Sequence, residues 1–374
     1  MERAKLHLKK NTLTIAVLFP MFEEGIYYVS VLIPVYGVEQ YIERCARSLF
    51  EQTYPDLEYV FVNDCTHDRS VEILRKVIED YPERKGAVRI INHEKNKGLA
   101  ATRNTCLENA SGEFVCCVDS DDWLELDAIE NLVKKQLETD ADIVSGNMQV
   151  HNPSSLEDYF EPHYENKEQM VLNQLPSTMD HNAIRRIIRR ALFEDHQIRC
   201  IEGADMGEDR FQMVQVCYFA QKVSNIDQLV YHYEKRNAQS ITNQIRNNLL
   251  LRNLGQELEN WLGILTFFED KEEVYYQASI MYAIECIQKI ITLSLRHNNK
   301  DYYCRTVKII RDNKVLMGAM GWNRDCFDVI RHNYYLMWMN SFANRSIRFV
   351  RRLPRRFLAT VGLFYSVFIV FVKL

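Results

Sequence analysis

Glycine and proline are scarce, with 13 and 8 among 374 residues, well under average usages of about 7% and 5%. All-β architectures built from many tight turns need both, so helix-rich layers are favoured and collagen-like or low-complexity chains are excluded. Paired cysteine spacing is also missing. The ten cysteines, at 45, 65, 106, 116, 117, 200, 217, 286, 304 and 326, include no CxxC, which argues against structural zinc and fits reduced cytoplasmic thiols. No cleavable secretory signal stands out, because the apolar run Leu13–Phe22 is broken by Pro20 and lacks a small-residue cleavage site. Hydrophobic residues at 47% and charged residues at 26% exclude a disordered chain and a polytopic membrane protein. They leave enough apolar side chain for a sizeable core.

What charge there is lies unevenly. The net charge of −5 combines seven Arg and Lys without an acid in residues 341–374 with −12 on residues 1–340. An acidic body gives no support to nucleic-acid binding, whose phosphate contacts need a basic face. In the tail, Arg345, Arg348, Arg351, Arg352, Arg355 and Arg356 precede an apolar run from Phe357 to Val372. As a helix those residues reach roughly 24 Å, short of a hydrocarbon core of about 30 Å. The tail is therefore expected to lie on or dip into an anionic membrane surface at the inner face of the cell membrane. A core helix packed on the body is the alternative.

From Val29 the pattern alternates. Val29–Pro34, Leu57–Asp64, Val88–His93, Glu113–Asp119 and Asp142–Met148 read as strands. Val38–Gln52, Ser70–Tyr81, Leu99–Ala110 and Leu124–Thr139 read as helices between them. Strands separated by helices imply a mainly parallel α/β sheet with helices on both faces and the chemistry at strand C-terminal ends. Three of those ends carry Pro34-Val-Tyr36, Asn63-Asp64 and Asp119-Ser120-Asp121-Asp122. Carboxylates gathered at one edge repel one another unless a cation receives them, and Mg²⁺ or Mn²⁺ shared with substrate phosphates answers that need. The bland reading is that such acids cap helices, as Asp68 is expected to do before the helix from Ser70.

Six blocks stand in order: Val29-Ser-Val-Leu-Ile-Pro-Val-Tyr36; Ser48-Leu-Phe-Glu-Gln-Thr-Tyr-Pro55; Glu58-Tyr-Val-Phe-Val-Asn-Asp64; Asn96-Lys-Gly98 with Ala101-Thr-Arg-Asn104; Ser111-Gly-Glu-Phe114; and Val118-Asp-Ser-Asp-Asp-Trp123. Together they resemble family 2 glycosyltransferases of the GT-A fold, in the inverting, bacterial surface-glycan group. The resemblance implies a nucleotide-sugar donor, with UDP expected, and a divalent metal. It places Pro34 and Tyr36 beside the nucleobase and gives Asp64 a hydrogen bond from the base. Arg103 falls near the phosphates, Asp119 and Ser120 near the ribose and metal, and Asp121 on the metal itself. The chain departs from the family pattern at Gly37, where Asn is usual, and at Cys65-Thr66-His67, where a DGS-type turn is usual. Trp123 is expected to pack beneath the metal loop.

A glycosyl acceptor must lose a proton as it attacks, so a carboxylate base is needed in reach. Ile201-Glu-Gly-Ala-Asp-Met-Gly-Glu-Asp-Arg-Phe211 opens on glycines and puts Glu208 and Asp209 at the start of an apolar-periodic helix. Acids at a helix N-terminus are also stabilised by the dipole without any function. By the resemblance Asp209 is the catalytic base and Glu208 its orienting neighbour, with Leu229-Val-Tyr-His-Tyr233, Arg236 and Ser240 following; His232 reads as structural. The segment Asn182–Phe193 reads as an amphipathic helix with Arg185, Arg186, Arg189 and Arg190 on a solvated face or against membrane lipid or a diphosphate-linked acceptor.

The resulting organisation is an extension at 1–28, a donor half at 29–150, an acceptor half at 151–245, a helical appendage at 246–340 and the membrane-associating tail at 341–374. The function expected is metal-dependent sugar transfer to a glycan or lipid-linked acceptor. A Mg²⁺-dependent phosphoryl-transfer enzyme and an inactive membrane-tethered glycan-binding protein on the same fold are the alternatives.

Overall fold

The computed structural model describes residues 28–164, 166–176, 182–237, 240 and 250–320. The extension and the basic tail lie outside the described residues. The donor half opens with strand β1 (Val29–Val35), helix α1 (Ile42–Phe50), β2 (Leu57–Asn63), α2 (Ser70–Glu79) and β3 (Val88–Asn92). It continues through α3 (Leu99–Glu108), β4 (Phe114–Cys117), the short β5 (Trp123–Leu124) and α4 (Ala128–Thr139). β1 and β2 are nearly continuous runs of Val, Ile, Leu, Phe and Tyr and are buried almost throughout. Parallel strands covered on both faces require that pattern.

The second half contributes β6 (Ile143–His151), β7 (Leu156–Tyr159), α5 (Lys167–Asn173), β8 (Arg186–Arg189), α6 (Ala191–Asp195), α7 (Glu208–Phe219) and β9 (Val223–Glu234). The sheet runs β3-β2-β1-β4-β8-β6-β9-β5, with β7 paired to β6. β1, β2, β3 and β4 are parallel neighbours, whereas β8 enters antiparallel between β4 and β6. Only half of the strand pairings are parallel, so the sheet is mixed and the mainly parallel expectation holds for its donor half alone.

Two local expectations are corrected. The stretch read as a helix from Leu124 begins at Ala128, because Trp123 and Leu124 pair with His232 and Tyr231 of β9. The segment Asn182–Phe193 is no single helix: β8 takes Arg186–Arg189 and α6 opens at Ala191. Arg185 and Arg186 are fully buried against Glu161, with Arg185 Nε donating to Glu161 Oε2 at 3.0 Å and Arg186 Nη2 lying 3.6 Å from Oε1. Arg189 reaches Glu113, Asp140 and Asp142 at 2.7, 3.0 and 2.9 Å. Arg185 and Arg186 thus lie inside the protein, while Arg189 and Arg190 are half-buried, with Arg190 Nε donating to Gly112 O at 2.7 Å.

Four more helices follow: α8 (Leu250–Phe268), α9 (Glu273–Arg296), α10 (Lys300–Asp312) and α11 (Lys314–Ala319). α9 is long and apolar enough to cross a membrane by length and composition. Its Ile280, Ala283, Ile287 and Ile290 are nevertheless buried in the protein core, and its opposite face exposes Gln277, Glu285, Gln288 and Lys289. Leu258, Trp261, Ile264 and Phe268 of α8 join Met213, Val214 and Cys217 of α7 in the same apolar cluster. The helical region is thereby continuous with the second half of the sheet domain. All described cysteines are free.

Candidate active site

Strand C-terminal ends and two crossing loops enclose a cavity of about 660 Å³. Every residue given a donor, metal or base role from the sequence lines it: Pro34, Tyr36, Asp64, Arg103, Asp119, Ser120, Asp121, Glu208 and Asp209. Asp121 and Asp209, 88 positions apart in the chain, therefore border one space.

At the donor edge, Tyr36 follows β1 and exposes half its surface (51%) to the cavity mouth. Asp64 follows β2 and is buried. Its Oδ1 accepts from Lys97 N–H at 2.8 Å and pairs with His93 Nδ1 at 2.8 Å, while Oδ2 accepts from Gly98 N–H at 2.9 Å. Asp64 thus fixes the turn that opens α3. Gly98 sits there at φ 91°, and a Cβ on it would come within 2.6 Å of both carboxylate oxygens of Asp205. Only glycine serves both the backbone angle and the close approach. The neighbouring turn shows how the chain departs from the DGS pattern: Cys65 itself takes the left-handed conformation, φ 56°. Asp68 links rather than simply caps, accepting from Ser70 N–H, the Ser70 and Thr66 hydroxyls, and Glu39 N–H.

The DxD segment divides by role. Asp122 is fully buried, accepting from the Tyr231 hydroxyl at 2.6 Å and from Glu234 N–H at 2.7 Å. Asp121 is partly buried in the cavity wall and accepts from Asn237 Nδ2 at 2.9 Å. Burial, and then the charge of Asp119, push the Asp121 carboxyl up to about 6. A carboxylate held this way gains from a neighbouring cation. Among the described residues no group of three or more His, Cys, Asp or Glu is arranged to hold a metal. Asp119 and Asp121 fit an oxygen-loving ion that completes its shell with water and phosphate, as Mg²⁺ or Mn²⁺ does, and do not fit a closed zinc site. Trp123 packs behind this loop, stacked on His232 at 4.7 Å with the Arg44 guanidinium 3.6 Å from its ring. His232 is held by Glu125 Oε1 at 2.7 Å and His151 at 3.0 Å, a structural role.

Arg103 joins the two halves. Its Nη2 donates to Asp119 Oδ1 at 2.8 Å and its Nε to Glu208 Oε1 at 3.3 Å, while the buried Nη1 has no partner among the described residues. Burial and the adjacent Asp209 raise the Glu208 carboxyl, and Arg103 draws it back down. Gly207, left-handed at φ 81°, precedes α7. Glu208 and Asp209 occupy the first turn of that helix, where the dipole favours negative charge. Asp209 is partly exposed and accepts from Arg210 N–H at 2.8 Å.

Sequence reasoning missed several lining residues. Asp205 accepts from Ala100 N–H at 2.9 Å and ties the second-half loop to α3. It lay inside the stretch read for its base and was passed over. Asn237, beside Asp121, stands between Arg236 and Ser240, both of which had been noted; Ser240 lines the cavity, whereas Arg236 pairs with Glu234. Glu257 reaches the cavity from α8 and carried no local signal, since it sits on an ordinary amphipathic helix.

Residues 30–197 match the family model described as glycosyl transferase family 2. Glycosyltransferase GlyA of Streptococcus pneumoniae is 35% identical over 222 residues, covering 56% of this chain and 30% of that protein. The uncharacterized glycosyltransferase EpsJ of Bacillus subtilis is 32% identical, covering 57% of this chain and 62% of its own length. The chain thus spans less than two thirds of these relatives. Among solved structures, S. aureus TarS 1-349 in complex with UDP-GlcNAc superposes with a TM-score of 0.59 at 19% identity, over 82% of this chain and 91% of that one. The mannosyltransferase PcManGT from Pyrobaculum calidifontis, in complex with GDP-Man and Mn²⁺, does so at 0.50 and 15%, over 85% of this chain and 86% of that one. At these identities the likeness is one of fold: a mixed α/β GT-A-like domain with a helical region after it.

Proposed function

We propose that the chain, whose residues 30–197 match the family model described as glycosyl transferase family 2, moves a sugar from a nucleoside diphosphate to a glycan or lipid-linked acceptor in surface-polysaccharide synthesis. The observation that carries this reading is the common cavity of Asp119, Asp121 and Asp209. Charge that receives a diphosphate and a base that takes a proton must face one ligand for single-displacement transfer, which inverts the anomeric centre.

Tyr36 and Pro34 would border the base. Asp64 Oδ2, which carries a single hydrogen bond from Gly98, would accept from a base N–H, the pattern uracil offers. A carboxylate oxygen has room for a second donor. The unpartnered Arg103 Nη1 would donate to a phosphate oxygen, and Ser120 would border the ribose. Asp121 and Asp119 would hold Mn²⁺ or Mg²⁺, which when bound offsets negative charge on the departing diphosphate. The TarS complex with UDP-GlcNAc and the Mn²⁺ complex of PcManGT support a nucleotide-sugar donor and a divalent ion for this fold.

Asp209 would take the acceptor proton, with Glu208 and Arg103 fixing its loop. Its place in the first turn of α7 sets it on the wall of the common cavity. Asp209→Asn keeps the shape and removes the base, so turnover should fall by about 10³-fold or more while Mn²⁺-dependent binding of the nucleotide stays within twofold of wild type. Retained turnover removes Asp209 from the role.

The basic, apolar tail would bring this site to an acceptor at the inner face of the cell membrane. Deleting residues 345–374 should shift the protein from the membrane pellet to the supernatant after cell lysis, and unchanged pelleting refutes the assignment.

A further inference from the structure

The loop that carries Asp209 is held from a direction the sequence did not suggest. Along one face of α8, Gln256 Nε2 donates to Gly203 O at 2.8 Å, and Asn260 Nδ2 donates to Ala204 O and Met206 O, each at 3.0 Å. Between them, Glu257 Oε1 accepts from Arg210 Nη1 at 3.0 Å, and the Arg210 guanidinium lies 4.9 Å from the Trp261 ring. One turn further on, Gly263 meets the loop so closely that a Cβ there would come within 2.7 Å of Phe211 and 2.8 Å of Ile201. Residues 256, 260 and 263 recur at the helical spacing that puts side chains on one face. α8 therefore grips the chain on both sides of Asp209, at 203–206 and at 210–211.

Asn260 is the centre of that grip. It is 1% exposed, and its Nδ2 donates to the two loop carbonyls, with a longer contact of 3.5 Å to Gln256 O, while its Oδ1 has no partner among the described residues. Leaving a buried acceptor unsatisfied carries the desolvation penalty of that group with nothing to offset it. An apolar residue would avoid that cost in a helix whose sole task was to fill the core. The amide is oriented for the loop at the expense of its own oxygen.

Resting on the reading of Asp209 as the base, we propose that Asn260 and its neighbours Gln256 and Glu257 are positioning residues for Asp209, which makes α8 part of the transfer site. Donor contacts come from β1, β2, α3 and the DxD segment, none of which these α8 bonds touch. Loosening α8 should therefore lower kcat and leave donor affinity alone.

The test uses the full chain in five forms: wild type, Asp209→Asn, Gln256→Ala, Asn260→Ala and Gly263→Ala. Gln256, which is only half-buried, is removable without threatening the fold. Gly263→Ala raises helix propensity while forcing α8 away from Phe211 and Ile201. UDP binding with Mn²⁺ is measured by calorimetry. Turnover is read as nucleotide release from a panel of UDP-, GDP- and TDP-sugars with water as acceptor, and amide exchange of 200–211 is compared with that of 29–64 by mass spectrometry. The proposal expects kcat to drop about tenfold or more in Asn260→Ala and Gly263→Ala, and less in Gln256→Ala, with donor KM and UDP affinity within twofold. It expects faster exchange confined to 200–211. Unchanged kcat or unchanged exchange in the α8 variants overturns it. So does loss of UDP affinity alongside kcat, since α8 would then support the fold as a whole. Should Asp209→Asn itself retain turnover, the base assignment fails instead, and the exchange result still shows whether α8 holds the loop.

Discussion

Removing the carboxylate of Glu161 tests the claim that the basic segment before α6 is internal. Glu161 is 6% exposed and faces Arg185 and Arg186, which are 0% and 2% exposed. Its Oε2 accepts from both Nε and Nη2 of Arg185, and its Oε1 lies 3.6 Å from Arg186 Nη2. Glu161→Ala strips a shared anion from two buried cations. Breaking a buried pair from one side costs about 3–5 kcal/mol. Arg185 keeps Asn182 as a further partner and the Tyr159 ring 4.8 Å away, so the lower end, about 3 kcal/mol, is expected. With a urea m-value near 3 kcal/mol/M, suited to a chain of this size, the unfolding midpoint should move down by about 1 M. Tryptophan fluorescence and far-UV circular dichroism should report the same transition. Glu161→Gln, which keeps an acceptor and loses the charge, should fall between the two. A midpoint within 0.2 M of wild type for Glu161→Ala refutes the reasoning, because arginines on a solvated face would lose almost nothing.

Two further predictions rest on single side chains. Glu234, held by Arg236 and Arg44, titrates at about 2 against its ordinary 4.5. Its stabilisation is therefore complete above pH 4.5 and disappears as pH falls toward 2. Both arginines reach solvent, which limits the effect to about 1–2 kcal/mol. The difference in Tm between wild type and Glu234→Gln should be greatest near pH 6 and shrink steadily as pH falls from 4.5 toward 2, and a gap independent of pH over that range would sink the assignment. Cys65→Gly should stabilise the protein by about 0.5–1 kcal/mol, because glycine accepts φ 56° without the steric cost of a Cβ. A lower urea midpoint for that variant would count against it.

The donor half was legible because its signals are local. Strand periodicity, helix spacing and the acids at strand ends all sit within a dozen residues of what they determine, so β1 through β4 and the cavity-lining set follow directly. The Asn182–Phe193 segment was misread for a physical reason. Ile184, Ile187, Ile188 and Leu192 have helical spacing, while the anion that allows Arg185 and Arg186 into the interior is Glu161, over twenty residues upstream and across the sheet. The antiparallel entry of β8 depends on that same distant pairing. Glu257 and Asn260 were invisible for a related reason: their partners lie about fifty residues away, and nothing in their own helix distinguishes them from packing positions. Asp64 shows a subtler limit. Its position was read from the motif, but its hold on the turn that opens α3 depends on two backbone N–H groups that no side-chain pattern encodes.

Much of the second-half loop is recognised through its main chain. Asn104 exchanges two hydrogen bonds with the amide and carbonyl of Cys200, at 2.7 and 2.9 Å. Gln256 and Asn260 likewise read carbonyls at 203, 204 and 206. Such anchors are indifferent to what the anchored residues display. Substitutions at Glu202 or Met206 can accumulate without unmooring the segment, which gives natural drift or directed libraries a mounted display strip on which new sugar-receiving preferences can be tried while the proton-accepting residue stays where it is.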